Sequence, residues 1–295
     1  MMETKTSAMS SAQYLRTLLQ KGEIVMAPGA PDALTARLIQ KAGFQAVYMT
    51  GFGATASILG MPDIGLLTQT EMTTHARDMV RAVGIPVIAD ADTGYGGPSN
   101  IHRTVREYVQ AGVAGIHLED QVAPKRCGQM AGIRLMDAQE NVRRLECALD
   151  ACGSDDLLVI GRTDALPAAG LEEAIRRAAL YQSAGVDLVF VDGIKSIAEV
   201  EAVAAAIQGP KVVSLVDGTE ASRLTASQLQ GMGFSVVFYA VTALFTAVKA
   251  VADVLTELKA NGSVASFADR MVTYADFTEL VELGFHKSLD DRFGH

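Results

Sequence analysis

Tryptophan is absent from this chain and aromatic residues make up only 6% of it, yet 49% of its 295 residues are hydrophobic. A core must therefore be built from Ala, Val, Ile, Leu and Met, the residues that pack helices onto buried parallel strands. Cysteine is also scarce. Cys127, Cys147 and Cys152 are odd in number and contain no CxxC pair, which indicates neither a disulfide framework nor a structural zinc site and fits a reducing cytoplasm. The opening MMETKTSAMSSAQYL lacks a basic segment followed by an apolar core, and no apolar run reaches membrane-spanning length. The expectation is a soluble, unexported protein with no membrane partner. Excess positive charge is missing as well: a net charge of -9 argues against a nucleic-acid partner. An anionic substrate stays compatible with that charge, because a bound divalent metal and local cations reverse the field inside a cleft.

The length suits two ordinary domains or one large α/β barrel. A recurring phrase organises it: a glycine turn followed at once by an apolar, β-branched run. The phrase appears as KAGFQAVYMTG from Lys41, RAVGIPVIADAD from Arg81, QAGVAGIHLED from Gln110, SAGVDLVFVDG from Ser183 and GMGFSVVFYA from Gly231. Each glycine is placed to end a helix in the left-handed conformation, and the run after it reads as a buried parallel strand. Ile24 to Pro28, Leu157 to Arg162 and Lys211 to Leu215 bring the number of predicted strands to eight. Between them lie helical stretches such as Asn100 to Gln110 and Leu171 to Ala184, with apolar residues recurring every three to four positions. With no linker or composition break, this alternation favours one α/β domain over residues 1–295, a (β/α)8 TIM-type barrel. An open doubly wound sheet is the structural alternative. After the eighth strand a helical extension runs from about 243 to 295. It is longer than one barrel helix needs and is expected to pack on a neighbouring element or subunit.

The phrases also align polar groups. Seven residues past the helix-ending glycine come Thr50, Glu119 and Asp192, all in one phase at carboxyl ends of strands. Asp90 and Asp92 end the third strand two residues apart, as Arg162 and Asp164 end the fifth. The carboxyl end of a barrel sheet is where active sites sit. Asp90, Asp92 and Glu119 converging there need a cation, and oxygen-only ligands point to Mg2+ or Mn2+ completed by water and substrate. In the competing reading, Asp120 and Asp164 cap the helices that follow them. Arg162 offers a planar fork suited to a carboxylate, with an ion pair to a neighbouring acid as the alternative. His117 reads as a packed or supporting histidine rather than a ligand. His75, His102, His286 and His295 read as surface residues, and Met61, Met72 and Met79 as packing residues.

Beyond Asp120 comes PKRCGQ, Pro124 to Gln129. Lys125 and Arg126 beside Cys127 lead one to expect a favoured thiolate, and Gly128 and Gly132 suggest a loop that moves over a site. The bland alternative is an exposed, unreactive cysteine.

These residues resemble the isocitrate lyase and phosphoenolpyruvate mutase superfamily, especially its short methylisocitrate lyase-like branch. The resemblance runs through APGAPDALTARL at Ala27, YMTG at Tyr48, LGMPDIGL at Leu59, ADADTGYG at Ala89, HLEDQVAPKRCG at His117 and GRTDA at Gly161. It implies a (β/α)8 barrel with its last helix swapped between subunits of a homotetramer, Mg2+ in the site and a small anionic carboxylate as substrate. Asp90 becomes the principal metal-side carboxylate, with Asp63, Asp92 and Glu119 acting directly or through water. Thr50 and Gly51 offer polar groups to the keto-acid end, Arg162 binds the carboxylate, and Tyr48 helps deprotonate a hydroxyl. In lyases of this family a 2-hydroxy acid loses its hydroxyl proton and the adjacent carbon-carbon bond breaks. The products are a keto acid and a carbanion that the loop cysteine, here Cys127, protonates. Lys125 and Arg162 complete the implied catalytic group, with Gly128 and Gln129 beside the substrate. Mutases and phosphonopyruvate hydrolases generally carry Asn in place of this cysteine.

The chain departs from the family pattern in places. Gln129 stands where the lyases usually have His, and Asp192 where Glu is usual. Around the seventh strand Ser214, Asp217, Ala221 and Ser222 replace the usual Asn, Glu and ThrPro. The expected activity is therefore carbon-carbon cleavage of a 2-hydroxy di- or tricarboxylate of methylisocitrate or substituted-malate type. Alternatives are an oxaloacetate decarboxylase or hydrolase, a carboxyphosphonoenolpyruvate mutase, and a non-catalytic carboxylate-binding relative.

Overall fold

The structure, a computed structural model, describes residues 9–153 and 157–294. Eight parallel strands close into a barrel in sequence order: β1 (Val25–Ala30), β2 (Val47–Met49), β3 (Val87–Asp90), β4 (Gly115–Glu119), β5 (Leu158–Thr163), β6 (Leu188–Val191), β7 (Lys211–Leu215) and β8 (Val236–Tyr239). The open sheet is excluded by the pairing of β1 with β8, in register from Val25 opposite Val236 to Pro28 opposite Tyr239. Every strand lies at one of the apolar runs because a parallel strand buried on both faces must be apolar nearly throughout.

Alternation within the strands divides the apolar residues into two cores. Tyr48, Ile88, Ile160, Phe190 and Phe238 point into the barrel, and the Tyr48 and Phe238 rings stack 4.0 Å apart. Met49, Ala89, Ile116, Val159 and Val189 point outward under the surrounding helices. The first helix, Ser11–Gln20, is fixed at its start by a Ser10–Gln13 capping box. Its Ala12, Leu15 and Leu18 join the inner core with Val25, Ala46 and Leu158, which closes the amino-terminal mouth. Chemistry is thereby left to the opposite, carboxyl mouth.

Gly43, Gly112, Gly185 and Gly233 adopt the positive φ expected of helix-ending residues. Gly84 does not: the helix Gln69–Ala82 ends on extended Val83, and the Gly84 N–H donates to Gln40 Oε1 at 2.6 Å. His102 and His286 are exposed, but His75 is half-buried with Nε2 2.8 Å from the Pro31 carbonyl. His295 lies outside the described residues. Met72 and Met79 are buried, whereas Met61 is exposed.

The chain divides into two units, Met1–Thr242 and Ala243–His295. The second is helical: most of Thr242–Asn261, a 3-10 segment Ala265–Arg270, then Tyr274–Leu280 and Leu283–Phe293. Phe245, Val248, Val251, Leu255 and Leu258 recur at spacings of three to four along the first of these helices, and all are exposed. Among the described residues no helix is long and apolar enough to cross a membrane.

Candidate active site

The site begins at β3. Asp90 ends this strand, and its Oδ2 accepts from the Gly51 N–H at 3.2 Å, at the first turn of the helix Gly51–Leu59. Gly51 must be glycine for this approach, because a Cβ there would lie 2.4 Å from the same oxygen. Thr50 caps the helix through Gly53, so the positive helix end faces the Asp90 carboxylate. Asp92 follows in the left-handed region, φ 46°, and its N–H donates to Asp90 Oδ1 at 2.9 Å. A non-glycine residue held there at a site's rim marks a constrained turn. Burial raises the Asp90 carboxyl, but His117, Lys125, Arg162 and the Asp92 N–H outweigh it and bring it down to about 2.

The acids do not form a ready-made chelate. Among the described residues no three His, Cys, Asp or Glu side chains are spaced to hold a metal ion. Asp63 and Asp92 instead share the buried Lys125 ammonium, whose Nζ lies 2.6 Å from Asp63 Oδ1 and 2.7 Å from Asp92 Oδ1. The cation that the carboxylate cluster demands is therefore supplied partly by the chain itself. Glu119 is different: it is buried, and neither carboxylate oxygen receives a hydrogen bond. Its nearest cation is Arg162 Nε, 3.4 Å from Oε2, and burial pushes its pKa well above the ordinary value. A buried carboxylate without donors, facing ionised Asp90, has the chemistry of a divalent-cation site completed by water and substrate. The residues therefore fit Mg2+ through Asp90 and Glu119, with Asp63 and Asp92 tied to Lys125.

Arg162, opposite Glu119 across the β4–β5 register, grips Asp164 through Nε and Nη2 at 3.1 and 2.8 Å. The same Nη2 lies 2.6 Å from Asp192 Oδ2. The ion-pair reading of Arg162 thus holds in this structure. Asp164 makes no capping bond, and the helix that follows Asp120, Ala138–Cys152, is capped by Asp137 instead. Asp120 instead accepts from the Asp164 N–H, Thr163 Oγ1, Arg177 Nη1 and Tyr181 OH, which ties β4 to β5 and the helix Leu171–Ser183.

Tyr48 OH lies 3.0 Å from His117 Nε2 inside the barrel. Burial lowers His117 to about 4 and raises Tyr48 well above 10, so at neutral pH the pair consists of neutral imidazole and neutral phenol. Tyr48 is therefore a hydrogen-bonding group here rather than a ready base.

Cys127 corrects the expectation of a thiolate. Burial pushes the thiol up to about 12, against a smaller pull from the Gln129 N–H. Lys125 does not lower it, because its ammonium is bound to Asp63 and Asp92. The loop is docked rather than free: Cys127 N–H donates to the Asp63 carbonyl at 3.0 Å, and Gly128 presses against Asp192 and Asp164. Gln129 is half-buried, and Ser214 is buried on β7. Asp217 is exposed and accepts from Thr242 Oγ1 at 2.8 Å, so it is engaged outside this cluster. Beside Lys125 and Asp92 opens a cavity of about 440 Å3, also walled by Thr93, Tyr95 and Arg103. Asp120, expected as a helix cap, instead braces this arrangement, together with Gln121, which was not singled out from the sequence; the signal for Gln121 was its position two residues after Glu119.

A closed parallel barrel with buried acids, an arginine and a loop thiol at its carboxyl mouth defines a (β/α)8-barrel enzyme. The phosphoenolpyruvate phosphomutase family model matches residues 15–259. A 2,3-dimethylmalate lyase of Eubacterium barkeri is 42% identical over 93% of this chain and 95% of its own. A 2-methylisocitrate lyase of Aeropyrum pernix is 36% identical, covering 92% and 87%. Phosphonopyruvate hydrolase, solved in complex with oxalate and Mg2+, superposes with a TM-score of 0.88 at 29% identity, covering 97% and 99%. The chain belongs to the phosphoenolpyruvate mutase and isocitrate lyase superfamily, whose members include lyases and mutases.

Proposed function

We propose that this protein is a Mg2+-dependent carbon-carbon lyase. It cleaves a 2-hydroxy dicarboxylate of the substituted-malate kind into a 2-keto acid and a carboxylate. The observation that carries this reading is Cys127: a thiol kept protonated at neutral pH, on a loop docked against the mouth. Cleaving the bond leaves electrons on a carbon next to a carboxylate, and that carbanion needs an acid that still holds its proton at working pH. A thiolate could not serve, whereas a half-buried thiol that keeps its proton can. Similarity to a 2,3-dimethylmalate lyase over nearly the whole chain supports the substituted-malate class.

Asp90 and Glu119 would hold the metal, which when bound would supply positive charge to stabilise the substrate's oxygens. The Gly51 N–H and Thr50 orient the keto-acid end. Arg162 presents a guanidinium that Asp164 and Asp192 fix in place, so that it meets charge developing on the leaving enediolate without rearranging. Lys125 keeps Asp63 and Asp92 neutralised and anchors the acid loop. Tyr48 donates from a neutral phenol. The exposed apolar stripe from Phe245 to Leu258 supports assembly with further copies of this chain, as a helix-swapped homotetramer. The absence of any disulfide among Cys127, Cys147 and Cys152 supports a reducing, cytoplasmic setting.

The test is to incubate the protein and Mg2+ with 2-hydroxy dicarboxylates, methylisocitrate and oxaloacetate, trap released keto acids, and repeat with a chelator. Metal-dependent keto-acid release from a substituted malate is expected. Turnover of oxaloacetate alone, or of a phosphonate alone, refutes the lyase assignment.

A further inference from the structure

We propose that Gln121 is a positioning residue that holds the Cys127 thiol at the mouth of the barrel, an inference that rests on the reading of Cys127 as the proton donor. After β4 the chain leaves the barrel and returns, and the base of the excursion is zipped. Gln121 bridges Leu135, Val122 N–H donates to the Arg134 carbonyl at 2.8 Å, and Met136 N–H donates to the Asp120 carbonyl at 2.9 Å. That zipper leaves the tip unspecified. Gln121, buried at 1% exposure, reaches across the excursion with its side chain. Its Oε1 accepts from the Arg126 N–H at 2.9 Å, and its Nε2 donates to the Arg126 carbonyl at 2.7 Å.

One amide thus fixes both peptide planes flanking Arg126, and Arg126 is the residue between Lys125 and Cys127. Lys125 is locked separately by Asp63 and Asp92. With that side pinned, the φ and ψ of Arg126 decide where Cys127 points, and the Gln121 amide sets them. The Cys127 N–H bond to Asp63 and the Met130 N–H bond to the Cys127 carbonyl, 3.0 and 2.8 Å, are made only in the resulting orientation. The clamp touches none of the groups assigned to metal or substrate. Its loss should therefore impair proton delivery and leave binding nearly intact.

The experiment uses the full-length protein with Mg2+, 2,3-dimethylmalate as substrate and iodoacetamide as thiol probe, with alkylation followed at each cysteine by peptide mass spectrometry. Gln121→Leu should lower kcat about tenfold or more with KM changed by less than about threefold, the pattern of a misplaced group rather than a lost contact. Alkylation of Cys127 should accelerate at least about threefold while that of Cys147 stays constant. Gln121→Asn keeps the amide but shortens its reach by one methylene, so it cannot hold both Arg126 groups. It should show the same two changes as Gln121→Leu, a lower kcat and faster Cys127 alkylation, to a smaller degree. A folded Gln121→Leu or Gln121→Asn protein with unchanged Cys127 alkylation and unchanged kcat overturns the proposal. Should Cys127→Ser turn over as fast as wild type, the proton-donor reading fails. The alkylation comparison needs no turnover and judges the clamp separately.

Discussion

Gly128→Ala is the substitution whose consequence the structure sizes most directly. A Cβ at this position would sit 2.2 Å from Asp192 Oδ2 and 2.7 Å from Asp164 Oδ1, where ordinary contact begins at 3.4 Å. The two carboxylates cannot swing aside, because both are held by the same Arg162 Nη2, at 2.6 and 2.8 Å. The loop must therefore retreat by about 1 Å and carry Cys127 with it. A displacement of that size at a reacting group costs on the order of a hundredfold in rate. Global stability should change little, since no residue from 121 to 134 belongs to either core. Release of pyruvate from 2,3-dimethylmalate, coupled to NADH oxidation by lactate dehydrogenase, gives kcat, and a thermal melt gives stability. Wild-type kcat in Gly128→Ala would refute the docking of the acid loop on Asp192 and Asp164.

Three further outcomes follow from the same geometry. Lys125→Met removes the ammonium shared by two buried carboxylates and should cost about 3–5 kcal/mol, measured by denaturant unfolding; an unchanged midpoint contradicts the pairing. His117 is depressed from 6.5 to about 4, so the unfolded chain binds its proton more readily and stability falls as pH drops from about 6.5 through 4. His117→Gln should lose less stability than wild type across that window in urea titrations. Asp120→Asn should loosen the β5 end that presents Arg162, lowering kcat and stability together, because Arg177 Nη1 loses its charged partner.

The barrel was legible because a strand buried on both faces reads as an unbroken apolar run, and the glycine preceding most runs marks the helix end. Lys211–Leu215 was predicted residue for residue. The polar groups at the carboxyl mouth were legible for the same reason: Thr50, Glu119 and Asp192 share a phase with the strands that carry them. What escaped was anything set by contacts across the barrel. Lys125 and Arg126 next to Cys127 in sequence suggested a thiolate. In three dimensions Lys125 points to Asp63 and Asp92, and burial decides the thiol instead. Gly128 looked like a hinge and is required for close approach. The Gly84 phrase looked like its siblings, yet the helix before it ends on extended Val83 and Gln40 caps the turn from a distance.

The central claim is that the protein breaks a carbon-carbon bond and that Cys127 supplies the proton. Proton NMR of 2,3-dimethylmalate with the protein and Mg2+ in D2O tests both halves together. Cleavage between carbons 2 and 3 predicts pyruvate and propionate in equal amounts, the propionate carrying one deuterium next to its carboxylate. Cys127→Ser should slow this at least about a hundredfold. An intact substrate, or a Cys127→Ser protein that produces the same propionate at the wild-type rate, would contradict the account.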